Sequence, residues 1–372
     1  MKKYFQFDKL FFWLTTTLVV IGLFVFLSAS FSAFSDPVVF KAILFNQLGL
    51  GLVGGIILFF IMLRLPIEYL KKYALFIYGF GIILLILVFV PHIGFAHGGA
   101  RRWLDLGPLS FQSVEFAKYA VIIYLAAWLS VVRQKITNIS QGLIPFAIIV
   151  GIVGVLLIAQ PDTDSFLIIL VTSIMMYLLA GAKWRDIGIM FATVLIAGAG
   201  LVAVRPYLLS RVKSFVDPSR DALGSSYQVQ QQLIAIGSGK LTGRGFGQSI
   251  EKFQYLPEPL GDSVFAVAGE EFGFIGLVVI ILIYTMFFFR GIWIANRTQD
   301  SFGKLLVVGI LGLIVFQSLL NIASATAVFP LGGLPLMFIS QGGTALAFAI
   351  GAVGIILNIS RNQGKHVSVL KD

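Results

Sequence analysis

Several ionisable side chains lie inside or beside long apolar stretches of this sequence. Glu115 and Lys118 are three residues apart within the otherwise apolar segment 111–132. On a helix this spacing places both side chains on one face, where they can form an ion pair. Each charge at bilayer depth costs at least about 2.5 kcal/mol on insertion scales, so the pair needs a reason to be there. It indicates either a structural lock between helices or the lining of a polar cavity.

Asp262 is placed where a carboxylate can perform acid–base chemistry. It follows the turn-forming residues Pro257 and Pro259, and it precedes an apolar segment that carries Glu270 and Glu271 near its start. One interpretation is helix capping, because Asp is a favoured N-cap residue. The other is a general base, because partial burial raises the pKa of a carboxylate. The residue types alone do not separate these two roles.

Two further sets of residues suit anions or turns. Arg101 and Arg102 fit a topology anchor and an anion clamp equally well. The run 237–247 contains five glycines together with Lys240 and Arg244. Closely spaced glycines let backbone N–H groups approach a phosphate, although the run lacks the P-loop spacing and a flexible loop fits it equally.

A tight turn is predicted at Gln160-Pro161-Asp162-Thr163-Asp164, between two apolar segments. Proline fixes φ, and Asp or Thr can cap the helix that follows. Capping by Asp162 is therefore one interpretation, and a role in a site is the other.

These charges stand out because the chain is apolar overall. Of its 372 residues 58% are hydrophobic and 12% charged, against roughly 25% charged in soluble domains. The apolar excess must face lipid, which predicts a polytopic membrane protein. The absence of Cys excludes disulfides and thiol catalysis, and three His disfavour a histidine metal cluster. The net charge of +10 fits the positive-inside rule better than nucleic-acid binding.

The fold class predicted is an all-α membrane domain with ten transmembrane helices, spanning residues 1–372. A helix needs about 20 apolar residues to cross the bilayer core. The uncharged tract 305–360 counts as two helices because Pro330 and Pro335 interrupt it. The predicted spans are 10–35, 42–63, 73–100, 111–132, 136–161, 165–182, 187–204, 272–289 and the two parts of 305–360.

Lys and Arg predict the orientation of these spans. Sixteen of the 27 lie on the side that holds both termini, which predicts cytoplasmic termini. The first span is too long for a signal-peptide core of about 7–15 residues, although Ser28-Ala29-Ser30 resembles a cleavage site. The long connection 205–262 is predicted to be extracytoplasmic and to contain short interfacial helices.

Five stretches of the chain match one family pattern in order and on the same predicted side. They are 99–104 with 111–112 and 115–118; Gln160-Pro161-Asp162; 236–239 through 245–249, which includes Gln248; 255–258 through 262–267 with 270–273; and Asn321 with 329–331, 333–335 and 338–344, which includes Ser340, Gly342 and Gly343. Jointly these motifs resemble the SEDS family (shape, elongation, division and sporulation), which includes FtsW, RodA and SpoVE. The resemblance covers nearly the whole chain and is closest to the FtsW branch, on the basis of 255–259 and 262–266.

This resemblance implies a peptidoglycan glycosyltransferase that polymerises lipid II at the outer face of the plasma membrane. It implies septal wall synthesis, with a class B penicillin-binding protein and other divisome proteins as partners. The catalytic acid of the family falls on Asp262. The implied substrate-binding residues are Arg101, Arg102, Glu115, Lys118, Asp162, Arg211, Lys240, Arg244, Gln248, Ser340, Gly342 and Gly343.

The chain departs from the family pattern at three places. Gln112-Ser113-Val114-Glu115 replaces Gln-Pro-Ser-Glu, which removes a proline before a helix. Thr163-Asp164-Ser165 replaces an apolar residue, Gly and Thr, and Ser340-Gln341-Gly342-Gly343-Thr344 replaces Ser-Tyr-Gly-Gly-Ser. These changes affect local geometry and remove no ionisable residue of the predicted site.

The implied reaction needs a base and positive charge. A sugar hydroxyl attacks an anomeric carbon and a polyprenyl diphosphate leaves, so we predict Asp262 as the base. Cations stabilise the departing diphosphate, and a divalent cation held by Asp262 or Asp162 can assist. The predicted cations are Arg101, Arg102, Lys118, Arg211 and Arg244.

Two other functions fit a membrane bundle with internal charges. One is a lipid II flippase or transporter, which the concentration of polar groups on one side of the membrane disfavours. The other is a non-catalytic division scaffold, which would need none of these buried charges.

Overall fold

The computed structural model describes residues 7–97, 100–106, 109–133, 135–217 and 225–362, and helices dominate this part of the chain. The helices are α1 (Lys9–Ser30), α2 (Pro37–Leu44), α3 (Gly54–Arg64), α4 (Ile67–Lys72), α5 (Ala74–Leu87), α6 (Ser113–Val132), α7 (Ile144–Ala159), α8 (Thr163–Leu179), α9 (Trp184–Val204), α10 (Pro206–Val216), α11 (Ser225–Ser238), α12 (Glu251–Gln254), α13 (Val264–Arg297), α14 (Ser301–Ala325) and α15 (Gly343–Asn362).

The described residues contain eight helical spans that are long and apolar enough to cross a membrane. One of them is continuous from Pro37 to Arg64, because a π-helical segment, Phe45–Val53, joins α2 to α3. The shorter apolar helices α5 and α8 complete the ten predicted spans. The prediction of an all-α polytopic membrane protein is confirmed.

The predicted span 73–100 was wrong in its second half. Helix α5 ends at Leu87, and the chain then forms an antiparallel sheet with the strand order β1-β2-β3. The strands are β1 (Gly94–His97), β2 (Ala100–Leu106) and β3 (Leu109–Gln112). A lack of charge predicts burial or lipid contact, but it does not distinguish a short strand from the end of a helix. Gly99, part of a predicted motif, lies outside the described residues.

Helix α13 is longer than the predicted span 272–289. It begins at Val264, so Glu270 and Glu271 lie inside the helix and are buried. The backbone breaks at Gly273, whose φ of 68° and ψ of −170° are not helical. The predicted span begins after Glu270 and Glu271, because charged side chains are unfavourable in lipid. In the structure protein groups surround both carboxylates, so the helix includes them.

Helices α6, α14 and α15 form the buried centre of the bundle, and α9 lies at its periphery. Phe191 and Ile196 on α9 are 64% and 76% exposed, which suits a lipid-facing surface. Helix α1 is an integral part of the bundle, since Phe11 stacks on Phe287 of α13 with a centroid distance of 4.6 Å. That packing agrees with a membrane span and not with a removable signal peptide.

The long connection 205–262 contains α10, α11 and α12 in its described part. The prediction of short helices there is confirmed. Helix α11 packs against both α13 and α10, so this connection is folded onto the bundle.

Substitution of Gly22 tests the close packing of α1. A Cβ at Gly22 would lie 2.0 Å from the carbonyl oxygen of Phe338. We expect Gly22→Ala to lower the free energy of unfolding by about 1–3 kcal/mol, because overpacking forces the backbones apart. Thermal unfolding of the detergent-purified protein measures this loss.

The matched control is Gly79→Ala on α5, where an added Cβ meets no atom within 4 Å. Alanine favours a helix over glycine by about 1 kcal/mol, so this variant should be unchanged or slightly stabilised. Equal losses in the two variants would contradict the assigned packing.

Candidate active site

Asp262 lies in the short loop between α12 and α13, and side chains from other elements fix its backbone. Asn321 of α14 donates its side-chain N–H groups to the carbonyl of Asp262 at 3.0 Å and to that of Leu334 at 2.8 Å. The N-cap of α13 is Ser263 and not Asp262. The capping interpretation of Asp262 is therefore not observed, and its half-buried carboxylate remains available for chemistry.

The non-helical segment 330–342 between α14 and α15, here called the break segment, holds the same loop from the other side. The Ser340 hydroxyl donates to the carbonyl of Gly261 at 2.8 Å and accepts from the N–H of Leu336 at 2.7 Å. The N–H of Gln341 donates to the carbonyl of Leu260 at 2.8 Å. Ser340, predicted to bind substrate, thus supports the loop that carries Asp262.

Gly342 and Gly343 lie against the π-helical segment near α3. The N–H of Gly342 donates to the side-chain oxygen of Gln47 at 2.9 Å. A Cβ at Gly343 would lie 2.3 Å from the side-chain oxygen of Asn46, so only glycine fits there. The structure therefore places these two predicted binding residues in contacts within the protein.

Three charged groups converge beside Gly333 of the break segment. Arg211 of α10 forms an ion pair with Asp164 at 2.9 Å, and the N–H of Gly333 donates to the same carboxylate oxygen at 2.9 Å. A Cβ at Gly333 would lie 3.7 Å from Oδ2 of Asp262, 3.7 Å from Oδ2 of Asp164 and 4.0 Å from Nη2 of Arg211. The structure thus brings the predicted residues Asp262 and Arg211 together.

Asp164 was not among the predicted site residues, although it was noted as a departure from the family pattern. The available signal was a second acid two residues after Asp162, in a turn next to an apolar helix. Its partner Arg211 is 47 positions further along the chain, so sequence spacing could not indicate the pair.

The surroundings of Asp262 raise its pKa to about 7. Burial is the largest cause, and the negative charges of Glu258 and Asp164 add to it. The positive charges of Arg211 and Arg102 partly oppose the rise. A carboxylate with this pKa can accept and release a proton near neutral pH.

Arg102 brings a second cation towards this region from β2. Its guanidinium donates to the carbonyl of Pro161 and lies 3.8 Å from Oδ1 of Asp162. Asp162 accepts from the N–H of Ser165 at 3.4 Å, so the prediction that it caps α8 is confirmed. Burial raises the pKa of Asp162, while Arg102 lowers it in part. Arg101 is exposed, as alternation along a strand requires for a neighbour of the inward-facing Arg102.

The predicted ion pair between Glu115 and Lys118 is confirmed, with an N–O distance of 2.7 Å. Lys118, only 1% exposed, also donates to the side-chain oxygen of Gln317 at 2.8 Å. Gln317 in turn donates to the carbonyl of Pro335 at 2.9 Å. This chain of bonds connects α6 through α14 to the break segment, which favours the interpretation as a structural lock.

The glycine-rich run packs its backbone against the break in α13. The N–H of Arg244 donates to the carbonyl of Glu270 at 2.9 Å, and the N–H of Phe274 donates to that of Lys240 at 2.9 Å. Gly243 has a φ of 79°, and a Cβ there would lie 2.1 Å from the carbonyl oxygen of Glu271. The run is therefore an ordered structural element and not a flexible loop. The side chains predicted to bind substrate, Lys240, Arg244 and Gln248, are exposed on it.

A second buried ion pair, which the spacing of the sequence does not predict, joins Lys252 to Glu271. The amine of Lys252 lies 2.7 Å from Glu271 and donates to the Ser28 hydroxyl at 2.8 Å. Both charged side chains are fully buried, and the group ties α1, α12 and α13 together. The charges were visible in the sequence, but their 19-residue separation gave no sign of pairing.

Among the described residues, no complete set of protein ligands is present for the predicted divalent cation. The described residues contain no group of three or more His, Cys, Asp or Glu side chains suited to a metal ion. A cation at Asp262 or Asp162 would need ligands from substrate or water. The divalent cation stays a prediction.

Comparisons with known proteins found a family model and relatives that cover most of the chain. The family model described as a cell cycle protein, FtsW/RodA/SpoVE, matches residues 8–365. The chain is 36% identical over 354 residues to stage V sporulation protein E of Bacillus subtilis, covering 94% of this chain and 95% of that protein. It is 35% identical over 319 residues to a probable peptidoglycan glycosyltransferase FtsW of Trichlorobacter lovleyi, covering 83% and 80% respectively.

Two solved structures share the fold. One, described as the structural coordination of polymerization and crosslinking by a peptidoglycan synthase complex, contains a chain with a TM-score of 0.80 and 29% identity. The other is the rod shape determining protein RodA of Thermus thermophilus, with a TM-score of 0.68 and 26% identity. Each match covers 97% of this chain and 99% of the other chain.

Substitution of Asn321 tests how the Asp262 loop is held. We expect Asn321→Ala to cost about 1–3 kcal/mol of stability, because it leaves two carbonyls without their donors. The loop 257–263 should also exchange its amide hydrogens faster, which hydrogen-exchange mass spectrometry measures.

The matched control is Asn358→Ala, which likewise removes two bonds to carbonyls, those of Met62 and Leu65. It should lower stability without faster exchange in 257–263. Unchanged exchange of this loop in the Asn321 variant would refute the assigned support.

Proposed function

The chain belongs to the FtsW/RodA/SpoVE family, and from this membership we propose that it is a peptidoglycan glycosyltransferase that polymerises lipid II. Relatives about 35% identical are named as probable peptidoglycan glycosyltransferases. The observation that carries the proposal is the half-buried Asp262, with a pKa of about 7, close to the Arg211 guanidinium. This arrangement supports the proposal because the reaction requires a base and a cation near each other.

In the proposed mechanism Asp262 removes the proton from a sugar hydroxyl as its oxygen attacks the anomeric carbon of a second lipid-linked disaccharide. The new C–O bond forms while the bond to the diphosphate breaks. The diphosphate leaves with the bonding electrons, so negative charge accumulates on its oxygens. Arg211 and Arg102 are the cations that the geometry offers for stabilising that charge.

Location and partners complete the proposal. The chain is a multi-pass membrane protein, and the Lys and Arg distribution supports cytoplasmic termini with Asp262 at the outer face. The likeness to a chain of a peptidoglycan synthase complex supports a class B penicillin-binding protein as partner. The FtsW names of several relatives support a role in septal wall synthesis.

Replacement of Asp262 tests the base. We expect Asp262→Asn to lower the rate of lipid II polymerisation by roughly 10²–10⁴-fold, the usual contribution of a general base. The purified protein is assayed with and without a cognate class B penicillin-binding protein, and glycan strands are resolved by electrophoresis.

The control is Glu68→Gln on α4, an exposed substitution that should leave polymerisation unchanged. Thermal unfolding of the Asp262 variant shows that it is folded. Normal polymerisation by Asp262→Asn would exclude this residue as the base. Movement of labelled lipid II across liposomes without polymer formation would instead support a flippase.

The pH dependence of the reaction follows from the pKa of Asp262. The base must be deprotonated, so activity should be half-maximal near pH 7 and fall about tenfold per pH unit below it. Glu258→Gln removes a negative charge that raises this pKa, so the half-maximal point should move to lower pH. A pH–rate profile of each protein measures the shift, and an upward shift in the variant would contradict the assignment.

A further inference from the structure

The carboxylate of Asp164 joins two parts of the chain that meet beside Asp262. One oxygen of Asp164 accepts both from Arg211 on α10 and from the backbone N–H of Gly333 in the break segment, each at 2.9 Å. Helix α10 belongs to the long connection, whereas Gly333 belongs to the break segment between α14 and α15. Asp164 is therefore the described contact that fixes the position of the Arg211 side chain against the bundle.

Arg211 needs such a partner. Its side chain is 25% exposed, and a free Arg side chain carries about 2 kcal/mol of rotamer entropy. If Asp164 were absent, the guanidinium could turn to solvent or pair directly with Asp262. Pairing with Asp262 would stabilise the charged carboxylate and weaken it as a base.

The geometry leaves part of the guanidinium available. Nη1 of Arg211 donates to Asp164, while Nη2 faces the space beside Gly333, which Oδ2 of Asp262 also faces. A Cβ at Gly333 would meet these groups at ordinary contact distances of 3.7–4.0 Å, so all three groups border the same small space. Guanidinium N–H groups directed into such a space match the oxygens of a diphosphate.

We propose that Asp164 is a positioning residue that holds Arg211 in place to bind the diphosphate of the polyprenyl-linked substrate. This inference rests on the proposed function. Asp164 itself does not touch the reacting atoms, and its effect on the substrate passes through Arg211. Its second bond, to Gly333, keeps the carboxylate from rotating away with the arginine.

The experiment compares Asp164→Asn, Arg211→Gln and the double variant. Asparagine keeps an acceptor for the Gly333 N–H but loses the charge that holds Arg211. We measure the Kd for undecaprenyl diphosphate in detergent, and KM and kcat for lipid II. Asp164→Asn and Arg211→Gln should each raise Kd and KM roughly tenfold, as expected for one lost charge-assisted contact. Because Arg211 also stabilises the charge that accumulates on the departing diphosphate, kcat should fall in both variants as well.

The double variant is decisive. If Asp164 acts through Arg211, the double variant binds undecaprenyl diphosphate no more weakly than Arg211→Gln alone. If the double variant instead raises Kd by the product of the two single effects, Asp164 acts independently of Arg211, through Gly333. That result would overturn the inference. Wild-type Kd and KM in Asp164→Asn would overturn it too.

The matched control is Arg290→Gln, which breaks an ion pair of 2.7 Å with Asp8 at the start of α1. Arg290→Gln should change neither Kd nor KM. A higher Kd in this variant would show a general loss of structure. The binding assay also separates this inference from the proposed function. Failure of the wild-type protein to polymerise lipid II would refute the function, whereas the Kd values test the positioning by themselves.

Discussion

The non-helical backbone between α14 and α15 lacks the hydrogen bonds of a continuous helix, so its buried polar groups need partners from other parts of the protein. Side chains of Gln317, Asn321 and Ser340 make bonds to the carbonyls or N–H groups of this break segment. Asn321 and Ser340 also hold the backbone next to Asp262. The requirement to satisfy an interrupted backbone therefore also fixes the candidate catalytic loop.

A balance of charges gives this loop its chemistry. Burial and two neighbouring acids make the charged form of Asp262 less favourable, while two arginines make it more favourable. The result is a carboxylate that titrates near pH 7 and not near its ordinary value of about 4. Without the two arginines the pKa of Asp262 would be higher, and the carboxyl would be mostly protonated at neutral pH. If Asp262 were fully paired with an arginine, its pKa would be low and the carboxylate would be a poor base.

The buried ion pairs elsewhere have a different role. Glu115 with Lys118 and Lys252 with Glu271 are both shielded from solvent, and burial of a charge pair contributes little net stability. Loss of one partner would leave an unpaired charge in the interior, which is strongly unfavourable. Lys118 connects α6 to α14 through Gln317, and the pair of Lys252 with Glu271 connects α12 to α13.

The sequence by itself determined the membrane character, the number of spans, the family and the identity of Asp262 and Arg211 as candidates. These follow from apolar length and from local motifs, both of which are properties of neighbouring residues. Only the tertiary structure decided that β1, β2 and β3 replace the end of a predicted span, that Asp164 pairs with Arg211, and that Ser340 supports the Asp262 loop. The contacts of Asp164 and Ser340 join residues far apart in the chain, and they form because buried polar groups in a low-dielectric interior need partners that only the folded chain brings near.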